Sequence, residues 1–116
     1  MKKVVKFGGS SLASAEQFKK VGDIIRADKS RRYVVPSAPG KRSSSDTKVT
    51  DMLYSCYNLA IREKKFTSLL DEIHARYNEI IDGLNLELSL DHEFDMIREN
   101  FGKKSEEIML HPGENI

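Results

Sequence analysis

The feature that most constrains the fold is a short apolar run that stops at two glycines, followed by a helical pattern and a second apolar run. Val4–Phe7 has the composition of a β-strand and ends at Gly8–Gly9. Apolar side chains recur at helical spacing over residues 15–27, and Tyr33–Val35 forms a second strand-like run that ends at Pro36. This order predicts a βαβ unit, whose two parallel strands are joined by a right-handed crossover.

Three further helices are expected after the second strand. The first begins near Asp46 or Thr47, the second covers about residues 66–82, and the third covers about residues 90–101. Gly83 and Gly102 follow the last two patterns and are predicted to end these helices. A last helical turn is expected over residues 105–109.

The predicted sheet is small for a parallel sheet. Parallel strands are usually buried on both faces within a larger sheet, and a two-stranded sheet is marginal by itself. The sequence therefore predicts an α/β fold, with a βαβ unit followed by three helices. Either the three helices cover the small sheet unusually well, or further strands come from outside these 116 residues or from a second copy.

Composition narrows the class of protein. A length of 116 residues suits one domain, and no secretory signal or membrane-spanning apolar stretch occurs in the sequence. The single cysteine, Cys56, cannot form an internal disulfide, which fits a cytoplasmic location. Residues 1–50 carry 12 Lys or Arg and 4 Asp or Glu, a balance of +8 within a total of +1. A basic first half can attract a nucleotide triphosphate or a nucleic acid, or it can simply face the acidic second half.

The loop after the first strand has the composition of a phosphate-binding loop. Glycines such as Gly8 and Gly9 let backbone N–H groups approach a phosphate, and Lys6 adds a full positive charge. Ser10 follows directly. The spacing is neither that of a Walker A loop nor that of a dinucleotide-binding loop, so a plain turn remains the alternative.

The loop after the second strand ends at the same edge of the predicted sheet. Ligands of open α/β sheets bind beyond the carboxyl ends of the strands, so Ser37 is expected near Lys6 and the two glycines. Ser37 can equally be a turn residue. Thr50 lies in the first turn of the next helix, where its hydroxyl can bind a ligand or only satisfy the helix. His74 and His92 have no partners at metal-binding spacing, and we expect no metal site.

Four motifs in order resemble those of the aspartate kinases. The motif Lys6–Ser11 resembles their Lys-Phe-Gly-Gly-[Ser/Thr]-Ser signature, and Val34–Ala38 resembles their second-strand segment, with Pro36 as an extra residue. Lys48–Leu53 resembles the start of their Val-Thr-Asp-Leu-Leu helix, and the tail up to Glu114 resembles a stretch that ends in Gly-Glu. The resemblance covers essentially the whole chain. The tail departs from it, with His111 where the family has Ser and Pro112 just before Gly-Glu.

The resemblance implies an amino-acid kinase fold, an αβα sandwich, and ATP-dependent phosphorylation of the aspartate β-carboxylate with Mg²⁺ bound to the nucleotide. It implies that Lys6 is catalytic and that the loop before the first helix holds the phosphoryl group, through Gly8, Gly9 and Ser10. It further implies that Ser37 and Thr50 hold L-aspartate and that Glu114 pairs with its ammonium group.

The same resemblance places this chain at the N-terminal, substrate and phosphate side of the domain. The family's nucleotide half and its regulatory ACT domains lie beyond Ile116, so we expect residues 1–116 alone to have little or no activity. Three alternatives remain: a related acyl-phosphate kinase such as a glutamate kinase, a non-catalytic module that pairs with a complete kinase subunit, and a nucleic-acid binder. The last lacks a helix-turn-helix, an aromatic platform and a zinc signature. Neither nucleic acid nor membrane is an expected partner, whereas a homo-oligomer is possible.

Overall fold

The computed structural model describes residues 1–110, with side chains from Met1 to Lys103. In chain order the elements are β1 (Lys3–Phe7), a 3-10 turn (Gly9–Leu12), α1 (Ala15–Ala27), β2 (Arg31–Pro36), α2 (Val49–Ile61), α3 (Thr67–Gly83) and α4 (Asp91–Leu110). The chain forms two compact units. Unit 1 comprises residues 1–50 and 79–88, and unit 2 comprises residues 51–78 and the described residues from 89 onward.

The predicted βαβ unit is confirmed. Strands β1 and β2 form a two-stranded parallel sheet in which Val5 pairs with Val34 and Phe7 pairs with Pro36. Pro36 is the last residue of β2, since a proline cannot donate a backbone hydrogen bond to a continuing ladder. The carboxyl ends of both strands therefore lie at one edge of the sheet.

Helix α1 covers the predicted range and packs on the sheet. Its N-cap is Ser14, whose hydroxyl accepts a hydrogen bond of 3.3 Å from the backbone N–H of Gln17. Below the cap, the buried residues Phe7, Leu12 and Val21 form the core of unit 1, and Val5, Phe18 and Ile25 pack against it. The helical spacing of the apolar residues thus places one face of α1 against the first strand.

The sheet keeps much apolar surface exposed. Val4, Tyr33 and Val35 have exposed fractions of 68%, 53% and 50%, and Val34 is 39% exposed. Parallel strands are ordinarily covered on both faces, so the sheet presents apolar surface of the kind that usually contacts further protein.

Helix ends depart from the prediction at three places. Helix α2 begins at Val49 rather than near Asp46, because the Asp46 carboxylate accepts hydrogen bonds from Arg42 and closes a turn there. Gly83 is the last residue of α3, as predicted, but the left-handed position of the cap is Asn85, with φ of 54°. Hydrogen bonds from Asn85 N–H to Asp82 O and from Leu86 N–H to Ile81 O complete this C-terminal motif.

The two glycines read as helix ends have other surroundings. A Cβ atom on Gly83 would lie 2.5 Å from the Cβ of Ala15, so this glycine permits close approach between α3 and the start of α1. Gly102 lies inside α4, which continues through residues 105–109, and the prediction that Gly102 ends the helix is wrong. A glycine in a helix interior costs only about 1 kcal/mol, which the rest of a 20-residue helix can offset.

Unit 2 is an all-helical unit with its own apolar contacts. Leu70, Ile73 and Cys56 are almost fully buried, and burial raises the pKa of the Cys56 thiol. The ring of Phe94 stacks on that of His74 with centroids 4.3 Å apart. Cys56 is therefore a core residue and His74 a packed aromatic ring. Within the described part of the chain, no helix combines the length and the apolar character that crossing a membrane requires.

Candidate active site

The loops that follow β1 and β2 are joined backbone to backbone. Ser37 N–H donates to Phe7 O at 3.0 Å, and Gly40 N–H donates to Gly9 O at 2.8 Å. The expectation that both loops emerge at one edge of the sheet and lie side by side is therefore confirmed. The two bonds form a continuous seam along the edge where ligands of open α/β sheets bind.

Gly40 is a site residue that the sequence analysis missed. A Cβ atom at this buried position would lie 2.5 Å from Gly9 C and 2.8 Å from Ser10 N, closer than any side chain tolerates. Gly40 therefore allows the two loops to touch. Its signal in the sequence, a glycine after Pro39, is also that of an ordinary turn, and nothing local distinguishes the two.

Gly8, unlike Gly40, is not crowded by neighbouring atoms. A Cβ atom there would meet nothing within 4 Å, and the backbone φ of −77° is one that any residue adopts. Neither packing nor backbone conformation within the described chain requires glycine at this position. Outside the regular strand and helix ladders, the described residues offer no acceptor to the N–H groups of Gly8, Gly9 or Ser10. The absence of a side chain at Gly8 therefore leaves open space at the start of this loop.

Lys6 is the cation next to this open loop. Its side chain is exposed and forms no ion pair or hydrogen bond with any residue whose side chain is described. Lys3, three residues earlier in β1, instead lies 2.8 Å from the Asp28 carboxylate at the other end of the strand. The hydrogen bond from Lys3, with those from Ser30, holds the pKa of Asp28 well below its usual range. The charge of Lys3 is therefore neutralised within the protein, whereas that of Lys6 is available to a ligand.

Ser37 and Thr50 lie on the same connection, at its two ends. Ser37 is the first residue after β2, and Thr50 is the second residue of α2. The start of α2 is tied to the loop because Val49 N–H donates to Pro39 O at 3.0 Å. Both hydroxyl residues are exposed. The fold thus brings four of the predicted site segments, Lys6, the glycine loop, Ser37 and Thr50, into one hydrogen-bonded region of unit 1.

An ion pair closes the middle of this connection. Arg42 Nε lies 2.7 Å from Asp46 Oδ2, Arg42 Nη2 lies 3.1 Å from Oδ1, and the Arg42 N–H donates to Oδ2 at 2.9 Å. Arg42 Nη1 also lies 3.4 Å from Glu79. The Arg42 guanidinium holds the pKa of Asp46 well below its usual range, and Asp46 in turn raises the pKa of Arg42. Sequence spacing alone did not indicate this pair.

The pair makes the stability of unit 1 depend on pH. A carboxyl whose folded pKa is depressed contributes stability above its unfolded pKa of about 3.9, and the contribution is lost as pH falls through the folded value. Asp46→Asn is expected to cost about 0.5–1 kcal/mol at pH 7, as for a partly exposed pair, and the difference should shrink as pH falls below 4. Urea unfolding at pH 7, 4 and 2.5 measures this difference.

The control for this prediction is Asp23→Asn. Asp23 pairs with Arg26 on α1, and both side chains are more than 70% exposed. The free energy of unfolding should change little for this variant at any pH. A cost for Asp46→Asn that stays constant from pH 7 to pH 2.5 would contradict the depressed pKa of Asp46.

Two predicted features remain to be placed. Glu114, predicted to bind the substrate ammonium group, lies outside the described residues. Among the described residues, no group of three or more His, Cys, Asp or Glu side chains is arranged to hold a metal ion.

Comparison with known proteins gives a consistent family. The sequence matches the model of the amino acid kinase family over residues 1–105. It is 46% identical over 88 residues to aspartokinase 3 of Bacillus subtilis (strain 168), covering 76% of this chain and 19% of that protein. It is 38% identical over 85 residues to the aspartokinase of Chlamydia pneumoniae, covering 72% of this chain and 17% of that protein.

A solved structure agrees with the sequence relatives. The crystal structure of Clostridium acetobutylicum aspartate kinase superposes with a TM-score of 0.83 and 42% sequence identity, covering 89% of this chain and 24% of that one. The mixed α/β fold expected from the sequence is confirmed by this likeness. The chain spans about a sixth to a quarter of the length of these three relatives. By the match over residues 1–105 and by these likenesses, the chain belongs to the amino acid kinase family.

Proposed function

We propose that this chain forms the substrate and phosphoryl-binding side of an aspartate kinase, which transfers a phosphoryl group from ATP to the β-carboxylate of L-aspartate. One observation carries the proposal: Lys6, an exposed lysine without a described partner, lies two residues before Gly8, where the glycine loop leaves space that packing does not fill. The likeness to the aspartokinases named above supports the choice of substrate.

The chemistry asks for positioning and charge neutralisation rather than a base. An aspartate carboxylate has a pKa of about 3.9, so it is ionised and nucleophilic at neutral pH. In the proposal, Lys6 and the N–H groups of Gly8, Gly9 and Ser10 bind the phosphoryl oxygens, where negative charge accumulates during transfer. These groups suit an oxyanion because Lys6 is exposed and the position next to Gly8 is open.

The aspartate is held in the proposal by the other loop. The hydroxyls of Ser37 and Thr50 donate hydrogen bonds to its carboxylates, and Glu114 accepts one from its ammonium group. The seam between Gly9 and Gly40 fixes the aspartate loop beside the phosphate loop, so the two reactants would be held next to each other.

The nucleotide fits the described residues only in part. The glycine loop and Lys6 suit its phosphates, whereas the described residues contain no metal-binding cluster. Mg²⁺ would therefore enter bound to ATP, and it would neutralise phosphate charge. Within this proposal the protein acts in the cytoplasm, as a homo-oligomer or together with a further portion of the kinase domain.

A second candidate function is a non-catalytic module that pairs with a complete kinase subunit. The exposed apolar residues of the small sheet, with Val4 68% and Tyr33 53% accessible, favour it, because such surfaces often bind protein. In this case the chain would bind neither aspartate nor phosphate by itself.

Calorimetric titration of the folded chain with L-aspartate, with L-glutamate as control, tests the proposal. We expect aspartate to bind more tightly than glutamate, and Ser37→Ala or Thr50→Ala to weaken aspartate binding about tenfold, the loss of one hydrogen bond to a charged group. Ser68→Ala, an exposed hydroxyl of α3 in unit 2, is the matched control. Equal affinity for both amino acids would favour a related acyl-phosphate kinase. No binding by chain shown to be folded would favour the pairing module.

A further inference from the structure

Lys41 lies between two anchored residues of the loop after β2. On one side, Gly40 N–H donates to Gly9 O at 2.8 Å, and the backbone of Gly40 packs directly against that of Gly9 and Ser10. On the other side, Arg42 is bound through its backbone and its guanidinium to the Asp46 carboxylate. The backbone of Lys41 is thus held in place on both sides, beside the loop that starts at Gly8.

The two adjacent cations of this loop, Lys41 and Arg42, differ in whether an acidic residue pairs with them. Arg42 is committed to Asp46 and Glu79, so its charge is largely neutralised within the protein. The Lys41 side chain is exposed and has no ion pair or hydrogen bond among the residues whose side chains are described. Near the edge of the sheet where both strands end, Lys6 and Lys41 are therefore two positive charges available to a ligand.

The position of Lys41 and the chemistry of its side chain suit a phosphate ligand. Consecutive Cα atoms are 3.8 Å apart, so the Lys41 backbone begins about one residue from the contact between Gly40 and Gly9. A lysine carries its ammonium group on a flexible four-carbon stem with three donors, which allows it to follow a phosphate as a mobile point charge. The open space at Gly8 lies within the same loop pair.

We propose that Lys41 is a second phosphate-binding lysine of this site, which binds the polyphosphate of the nucleotide together with Lys6. This inference rests on the proposed function and extends it: Lys6 faces the transferred group, and Lys41 supplies charge to the rest of the chain of phosphates. The Arg42–Asp46 pair positions Lys41, because it fixes the adjacent backbone and leaves the ammonium group of Lys41 unpaired among the described residues.

Calorimetric titration of the folded chain with tripolyphosphate, which has the charge of the nucleotide tail and no base, tests Lys41 directly. Lys41→Gln should weaken binding about two- to fivefold, as expected for one charge contact near the surface, and Lys41→Arg should retain most of the affinity. The matched control is Lys29→Gln, which removes the same charge just before β2, at the opposite end of the strands. Its affinity should equal that of the unsubstituted chain. Adenosine, which has no phosphate, should not bind.

The outcomes separate the inference from the function on which it rests. Loss of binding in Lys6→Gln with unchanged binding in Lys41→Gln would overturn the role of Lys41 and keep the phosphate site. Equal losses in Lys41→Gln and Lys29→Gln would show only a general charge effect and would also overturn it. No binding of tripolyphosphate by the unsubstituted chain would overturn both.

A second measurement does not depend on variants. Pyridoxal phosphate carries a phosphate and an aldehyde that condenses with lysine amines, and borohydride reduction makes the product permanent. Mass spectrometry should find Lys6 and Lys41 modified first, with both protected by tripolyphosphate, and Lys29 modified slowly and without protection. Protection of Lys6 without protection of Lys41 would contradict the proposal.

Discussion

Replacing Gly40 with alanine is expected to destabilise unit 1 by about 2–3 kcal/mol, the usual cost of forcing extra volume into a packed position. The added methyl group would lie 2.5 Å from Gly9 C and 2.8 Å from Gly9 O, both backbone atoms that cannot rotate away. The two loops would have to separate, and the hydrogen bond from Gly40 N–H to Gly9 O would lengthen or break. Urea unfolding followed by circular dichroism measures the loss.

The control for this change is Gly8→Ala. A methyl group at Gly8 meets nothing within 4 Å, and its φ of −77° suits alanine, so stability should stay the same or rise slightly. The two variants make the same chemical change in loops that are joined to each other. If Gly8→Ala destabilised the chain as much as Gly40→Ala, close packing at Gly40 would not be the cause.

Lys6→Gln is expected to weaken tripolyphosphate binding about 10- to 100-fold, because a hydrogen bond to a charged group contributes about 1.5–3 kcal/mol. The expectation follows from the exposed position of Lys6 beside the open glycine loop, where no described residue neutralises its charge. The free energy of unfolding should hardly change, since the side chain makes no described contact that folding would lose. Calorimetry measures the first quantity and urea unfolding the second.

Lys3→Gln is the matched control for Lys6→Gln. Both lysines lie in β1 and both substitutions remove one charge, but Lys3 is paired with Asp28 at the far end of the strand. This variant should bind tripolyphosphate as the unsubstituted chain does, and it should lose a little stability through the broken ion pair. Comparable losses of binding in both variants would mean that net charge, rather than the position of Lys6, attracts the anion.

Local sequence patterns were sufficient for the βαβ unit. The apolar runs on either side of residues 15–27 and the Ser14 cap act over a few residues, and the structure places β1, α1 and β2 within two residues of the expected bounds. Their pairing follows from a general rule on crossovers rather than from any particular contact. For the same reason the meeting of the two loops at one edge of the sheet could be predicted.

Contacts between distant segments could not be predicted in this way. Gly83 and Gly102 have the same local signature of a helix end, yet α3 ends at Gly83 and α4 continues through Gly102. The contact of Gly83 with Ala15 could not be predicted, and the residue with positive φ is Asn85, two positions after the glycine.

The candidate site shows the same division. Lys6 and the glycine pair could be proposed as site residues because they lie close together in sequence. The role of Gly40 depends on its contact with Gly9, 31 positions earlier in the chain. Gly8 and Gly9 look equivalent in sequence, and only the structure separates them: one faces open space and the other contacts the backbone of Gly40. The roles of all the predicted site residues stay predictions: Lys6, Gly8, Gly9, Ser10, Ser37, Thr50 and Glu114.

The small sheet has a consequence for how the chain behaves at high concentration. In a two-stranded sheet each strand keeps one side without a neighbouring strand, and here those strands also expose Val4, Val34 and Val35. Strand edges with β-branched side chains are templates on which another extended chain can add. We therefore expect self-association by strand addition at high concentration, opposed by the basic residues of the two strands, since like charges repel approaching copies.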